Sequence, residues 1–303
     1  MTHDAETLVE RQKLRRRLLF WRILFVVALI VVGILAFGRV QGEATGAYVA
    51  LLDVNGVIES DRVRDEAIED VAQDGNAKAL ILRINSPGGT FVGGEALFIA
   101  LQRVAEEKPV VVVMDDVAAS AGYMIAMAGE HVIARRGTIT GSIGVIFPTT
   151  DVVDFFDNLG ITFENIKSDP LKANPSPFER TLPEAREWAQ IVVDDMQKVF
   201  VGIVDDGRPD LDRAAIEVLA DGRIYTGTQA LENGLIDELG GEREARAWLL
   251  AQHEISEGLP VRNVEVEEEL PWYLEMVRET GKSVLPEPLT LDGLLALWQP
   301  EFN

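Results

Sequence analysis

The sequence predicts an α/β protein built on a parallel sheet, and three observations carry that expectation. Short β-branched runs alternate with stretches of helical length between positions 47 and 134. One run, Pro109-Val110-Val111-Val112-Val113-Met114, has the composition of a strand buried on both faces. The connections between runs are long enough for a helix to cross back over a sheet. In such folds ligands gather beyond the carboxyl ends of the strands, so chemistry is expected there.

Taken from the start, positions 1–17 form a basic N-terminus and positions 18–38 a predicted transmembrane anchor. Leu18 to Phe37 is apolar apart from Arg22, and about 20 residues at roughly 1.5 Å each just cross a bilayer. Arg11, Lys13, Arg15, Arg16, Arg17 and Arg22 precede or open the span, whereas Arg39 alone follows closely, which places the N-terminus in the cytoplasm and the body outside. A cleaved signal peptide competes with this reading, but the run is long for one and lacks a small-x-small cleavage site.

The body follows at 39–253, with an acidic extension at 254–303. A strand over 47–58 turns at Asn55-Gly56, a helix follows over 61–73, and a second strand covers 78–84. After a glycine-rich loop come a helix over 94–107, the valine strand, a small-residue helix over 121–128 and a short strand over 131–134. A long amphipathic helix is expected over 183–205, with Trp188, Ile191, Val192, Met196, Val199, Phe200 and Ile203 at three-and-four spacing. Beyond Glu254, Trp272-Tyr273-Leu274 and the leucine-rich 291–298 are read as packing onto their own domain, with subunit contacts or a membrane surface as the alternatives.

Composition excludes several kinds of chemistry. The 303 residues include no cysteine, so there is neither a disulfide nor a thiolate nucleophile. Three histidines, His3, His131 and His253, are too few and too scattered for a metal cluster, and no cofactor is implied. Seven basic and three acidic residues precede position 41, a net of +4, so the rest of a chain of net −22 carries −26. A body that acidic repels phosphates, which argues against a nucleic-acid partner.

Ser120 lies where the valine strand meets the small-residue helix. The first amides of a helix lack intrahelical partners and carry partial positive charge, so an oxygen there is close to donors for a developing oxyanion. Ser120 is therefore either a nucleophile or an N-cap. The loop Asn85-Ser86-Pro87-Gly88-Gly89-Thr90 ends a strand at the same sheet edge, and its glycines allow close backbone approach. In that geometry one oxyanion donor comes from this loop, at Gly89, and the second from Ala121.

Ile84-Asn85-Ser86-Pro87-Gly88-Gly89 with Ala118-Ala119-Ser120-Ala121-Gly122-Tyr123 resembles the Clp protease and crotonase superfamily, and within it the S49 peptidases of the signal peptide peptidase A type. The similarity continues through Thr140-Gly141-Ser142-Ile143-Gly144-Val145, Gly222-Arg223-Ile224-Tyr225-Thr226-Gly227 and Gly234-Leu235-Ile236-Asp237, covering roughly 48–248. It implies a crotonase-like core of repeated ββα units with a parallel sheet. It also implies a serine endopeptidase that acts on apolar peptides such as cleaved signal peptides. The expected location is the cytoplasmic (inner) membrane, with the catalytic domain on the extracytoplasmic side.

The resemblance also supplies the base. Clp-type proteases use a histidine about two dozen residues after the serine, but His131 comes only 11 later and is read as structural. The S49 likeness points instead to a lysine, and the matching position is Lys172. A lysine accepts a proton only as the neutral amine. Ser168-Asp169-Pro170 and Ala173 depart from the family pattern around it, which leaves Lys167 as a competitor; Ser176-Pro177-Phe178 and Thr181 to Glu184 fix the register on Lys172. By the same resemblance Ser142 holds the amine towards Ser120, or else is a turn serine. Ring- or dome-shaped homo-oligomers with sites shared between neighbours are implied, so Ser120 and Lys172 are expected not to hydrogen-bond within one chain. A catalytically inactive membrane scaffold and a membrane protease with another substrate stay open as alternatives.

Overall fold

The computed structural model describes residues 21–22, 24–27 and 46–266. Residues 1–47 and 48–303 form two separate compact units. Of the first, 21–22 and 24–27 are helical; the rest of the anchor expected at 18–38 lies outside the described residues, as do Trp272-Tyr273-Leu274 and 291–298. Among the described residues no helix is long and apolar enough to cross a membrane.

The second unit is a mixed α/β fold around an eight-stranded, largely parallel sheet. Its strands are β1 (Tyr48–Ile58), β2 (Ala77–Gly89), β3 (Val110–Ala119), β4 (His131–Ala134), β5 (Ile139–Gly141), β6 (Ile224–Thr226), β7 (Glu238–Leu239) and β8 (Val261–Asn263). Helices α1 (Arg62–Gln73), α2 (Phe91–Glu107) and α3 (Ala121–Ala126) connect the first four. Then come α4 (Val153–Asn158), α5 (Pro183–Gly207), α6 (Arg213–Leu219), α7 (Gly227–Glu232) and α8 (Glu242–His253). The strand order is β6-β5-β3-β2-β1-β8, with β4 joining β3 to β7; β5 and β6 form the antiparallel pair.

The first two helices begin where side chains can satisfy their open amides. Asp61 accepts from the amides of Val63 and Arg64 at 3.0 and 3.1 Å, and Thr90 accepts from Gly93 at 3.1 Å. The strands bury alternate residues in two cores. Ala50, Leu52, Leu80, Leu82, Val110, Val112 and Met114 face the larger one with α1, α2, α3 and α5, while Leu51, Ile81, Val111 and Val113 pack under Ala245 and Leu249 of α8. Burial on both faces explains why β3 reads as an unbroken valine run.

Three strands differ from their sequence expectation. β1 does not turn at Asn55-Gly56 but continues to Ile58 through a register shift, with Gly56 at φ 74°. β2 absorbs the glycine-rich loop, because Ser86 pairs with Ala118 and Gly89 with Ile58. β3 continues five residues past Met114 and forks. Val111–Met114 pair with β4, and Val117–Ala119 pair with β5. β8 lies past His253, so the sheet takes an edge strand from the stretch assigned by sequence to the C-terminal extension.

His131 is held structurally, stacked on Trp248 at 5.0 Å and 3.1 Å from Glu238. Beneath α3, the fully buried Tyr123 donates its hydroxyl to the Leu235 carbonyl at 2.8 Å. Burial pushes its phenol up to about 12, with Arg208 opposing the shift. Tyr123→Phe leaves that carbonyl without its donor and is expected to cost about 1–2 kcal/mol in chemical denaturation at neutral pH. A native phenol that ionises above its unfolded value of 10.0 contributes fully below pH about 10. That contribution is lost as the pH rises towards 12, so the variant should lose less stability than the parent over that window.

Candidate active site

Ser120 occupies the one-residue hinge between β3 and α3, at φ 54° and ψ −121°. That conformation is costly for any residue with a Cβ, and it follows from what holds both sides of the hinge. Upstream, Ala118 is locked to β5, where the buried Thr140 hydroxyl donates to the Ala118 carbonyl at 2.7 Å. At the hinge, the Ser120 amide donates to the Gly141 carbonyl at 2.9 Å. Downstream, the amides of Tyr123 and Met124 both turn back onto the Ser120 carbonyl at 2.9 Å. The side chain makes no capping hydrogen bond. The N-cap role is thereby set aside, and the hydroxyl stands half-buried at the mouth of α3, whose first amides, of Ala121 and Gly122, precede any helical carbonyl they could reach.

The Pro-Gly-Gly end of β2 lies against this hinge. A Cβ built on Gly88, which sits at φ +119°, would come within 2.8 Å of the Ser120 Cβ and 3.3 Å of its Oγ. One on Gly89 would lie 1.8 Å from the Ile58 carbonyl oxygen, so only glycine lets β1 close on this edge. The sheet bond to Ile58 comes from the Thr90 amide, at 2.9 Å. The buried Ser86 fixes the turn, accepting from the Gly88 amide at 3.1 Å and donating to its carbonyl at 3.2 Å. Sequence reasoning named both glycines of this loop for close approach but gave the donor role to Gly89 alone, and it assigned no role to Ser86 or Thr140. A glycine preceding the expected donor was the available signal for Gly88; the hydroxyls act through tertiary contacts that carry no local pattern.

Ser142 follows Gly141 directly and also has a positive φ, 50°, with its amide donated to the Arg223 carbonyl at 2.9 Å. The structure thus brings Ser120, Ala121, Gly88, Gly89 and the start of the Ser142 loop to one sheet edge. Lys172 belongs to a different part of the chain. Residues 145–182 leave the core as an arm in which no residue is fully buried, whereas Ile143 and Ala185 on either side are. Lys172 is exposed, and its ammonium makes no hydrogen bond or ion pair with any described residue, Ser120 and Ser142 included. The neighbouring Ala173 is held at φ 56°. Lys167, by contrast, is engaged: its Nζ lies 2.5 Å from Glu179 Oε2.

The arm carries an unusual apolar load for exposed chain. Ile166 is 99% and Ile146 84% exposed, and Phe155, Phe156, Phe163 and Phe178 form a ring cluster with centroids 4.6–6.0 Å apart. On α5, Trp188, Ile191 and Val192 also face outward. Between arm and helix opens a cavity of about 400 Å³ lined in part by Val145, Ile146, Phe147, Pro175 and Val193. Among the described residues no group of acidic or histidine side chains could hold a metal ion.

Comparison with known proteins places this geometry. Residues 102–256 match the family model described as Peptidase family S49, and residues 48–151 match that of Clp protease. The Synechocystis sp. protein slr0021 is 39% identical over 207 residues, 68% of this chain and 74% of its own. Protease 4 of Salmonella typhi is 31% identical over 261 residues, covering 81% of this chain and 41% of that protein. The chloroplastic serine protease SPPA of Arabidopsis thaliana is 32% identical over 240 residues, covering 76% and 34%. The chain thus spans three quarters of the first relative and less than half of the other two. A family model that covers half the sequence, and a relative matched along most of both chains, lead to one conclusion: this chain belongs to peptidase family S49.

Proposed function

We propose that this chain is a membrane-anchored serine endopeptidase that cleaves apolar peptides such as released signal peptides with a Ser120–Lys172 dyad. The observation that carries the reading is the strained, uncapped Ser120 at the strand-to-helix hinge, a conformation of the kind that projects a nucleophile out of a sheet edge. In the proposed reaction Ser120 Oγ attacks the scissile carbonyl as its proton passes to the neutral Lys172 amine. The amides of Gly89 and Ala121 receive the oxyanion, and the lysine returns the proton to the leaving amine. Ser142 orients the amine. The ion pair between Lys167 and Glu179 favours Lys172 over Lys167 as the base, since Lys167 Nζ is already engaged by a carboxylate and Lys172 Nζ is bound to no described residue.

Because Lys172 lies on an arm with no bond to Ser120, the dyad is proposed to close between neighbouring copies in a ring- or dome-shaped homo-oligomer. The exposed apolar residues of the arm and of α5 support this assembly, which would also withdraw Lys172 from water. The cavity between them, with Val145, Ile146, Phe147, Pro175 and Val193 set among Thr149, Thr181, Arg186 and Gln190, has room for a peptide that presents both apolar side chains and backbone polar groups. Positions 18–38 are proposed as the anchor, with the N-terminus cytoplasmic and the enzyme facing outward.

Ser120→Ala and Lys172→Ala should each abolish peptide cleavage with melting temperature unchanged, and the double variant should be no worse than either. In the parent, kcat should rise with pH as the base loses its proton; full activity in Lys172→Ala would overturn the dyad.

Mixing the two inactive single variants under conditions of proven subunit exchange should restore activity. No recovery would mean that each chain completes its own site.

In membrane fractionation the full chain should stay with the membrane after alkaline carbonate extraction. External protease should digest the body in spheroplasts; a body protected there would reverse the orientation.

A further inference from the structure

The stretch that presents Lys172 is tied shut at its two ends. Lys167 and Glu179, twelve positions apart, are joined by the 2.5 Å contact between Nζ and Oε2, and Asn165 Nδ2 donates to the other carboxylate oxygen at 2.5 Å. Lys172 lies near the middle of the enclosed segment, which has the closed-ended form and length of an Ω-loop. The two side chains are 14% and 24% exposed, well withdrawn for a pair on an otherwise open arm.

The interior of the loop is ordered around the same closure. The amides of Leu171 and Lys172 turn onto Asp169, at 2.9 Å to its side chain and 3.0 Å to its carbonyl. Asn174 donates to the Arg180 carbonyl at 3.2 Å and accepts from the Leu182 amide at 3.1 Å. Phe163 and Phe178, flanking the closure on its two sides, pack at 4.6 Å. The Lys172 side chain makes no hydrogen bond or ion pair with any described residue, so within one chain this backbone alone sets the region its amine can reach. The Lys167 ammonium, with the Asn165 amide, holds the Glu179 carboxyl below the usual carboxylate range, so the acidic half of the pair is neutralised only as the pH falls.

We infer that the Lys167–Glu179 ion pair is a latch that positions the Lys172 amine for proton transfer, with Glu179 and Lys167 as positioning residues. This rests on the reading of Lys172 as the base. The role of a latch differs from that of a base in one respect: it depends on opposite charges at the two positions and not on which position carries which. A misplacement of about 1 Å at a reacting group can cost 10²-fold in rate, whereas the cavity proposed for the substrate takes only Pro175 from the enclosed segment, so binding changes far less.

The test compares full-length Glu179→Gln, Lys167→Gln and the exchanged pair Lys167→Glu/Glu179→Lys, assayed with one fluorogenic apolar peptide. Each single change should lower kcat roughly 10- to 100-fold with KM within about twofold. The exchanged pair should regain most of the loss, since Asn165 can rotate its amide to offer oxygen to the introduced lysine. Melting temperature and oligomer size are recorded in parallel, and a single variant that melts low is judged by the exchanged pair. Unchanged kcat in both single variants would overturn the latch, as would loss in the singles with no recovery on exchange. Lys172→Ala separates the two claims. If it is inactive while Glu179→Gln is normal, the latch alone fails; if it is active while Lys167→Gln and the exchanged pair are dead, Lys167 is the base.

Discussion

The backbone angle of Ser120 is the constraint on which the rest of the site depends. A residue with a Cβ at φ 54° and ψ −121° persists only where the surrounding structure over-determines it. Here β3 is fixed from both sides, by β2 at Ala118 and by β5 at Val117–Ala119, while α3 folds back onto the Ser120 carbonyl. The fork in β3 makes this possible: by leaving β4 after Met114 and taking β5 as its partner, the strand frees an edge where a helix can begin without a loop. A longer connection would relax the angle and let the hydroxyl turn onto the helix amides as an ordinary cap.

The same hinge explains why its neighbours are small. Gly88 faces the Ser120 side chain, Gly94 of α2 faces Ala121, with a built Cβ only 2.9 Å from the Ala121 Cβ, and Gly122 lies against the Ser86 carbonyl. Each contact sets a glycine backbone against a small side chain or a carbonyl at a distance that a further side chain would prevent, so the helix mouth is closely walled. Peptide amides are the donors a water-poor oxyanion site requires, and they need no reorganisation during reaction. Rigidity comes from beneath, where Tyr123 reaches Leu235 and the mostly buried Arg208 pairs with Asp237 at 2.8 Å.

The sheet and the hinge were legible in the sequence because both rest on local patterns. Valine runs, small-residue helices and paired glycines each have one economical structural use. The ends of β2 and β3 were not legible, and polar residues are the reason. By sequence Asp115 closes the valine strand, yet Arg83 makes a bidentate pair with Asp53 and lies 3.9 Å from Asp115, while the Thr138 hydroxyl reaches the Asp115 carbonyl at 2.6 Å. Ser86 likewise looks like loop until its hydroxyl satisfies both polar groups of Gly88. Partners more than twenty positions away, or folded back by a turn, leave no periodicity to read. Lys172 is read as the base through likeness to a family, and that its side chain makes no hydrogen bond or ion pair with any described residue is a fact only coordinates supply.

The arm from 145 to 182 stands apart from the part of the chain that carries the stability. Buried side chains come from the sheet, from its covering helices and from the segments immediately joining them, and none comes from the arm. Folding free energy therefore accrues to the body, which closes without it. The arm instead holds itself together with Lys167–Glu179, the Arg180 contacts to Asp151 and Asp154, and the phenylalanine cluster, and leaves its remaining apolar surface outward. A lysine placed in the body near Ser120 would have to be desolvated against the folding of the core itself. On an arm that adds nothing to the core, the cost of removing its charge from water would fall on the assembly we propose, where the exposed apolar residues would supply the opposing free energy.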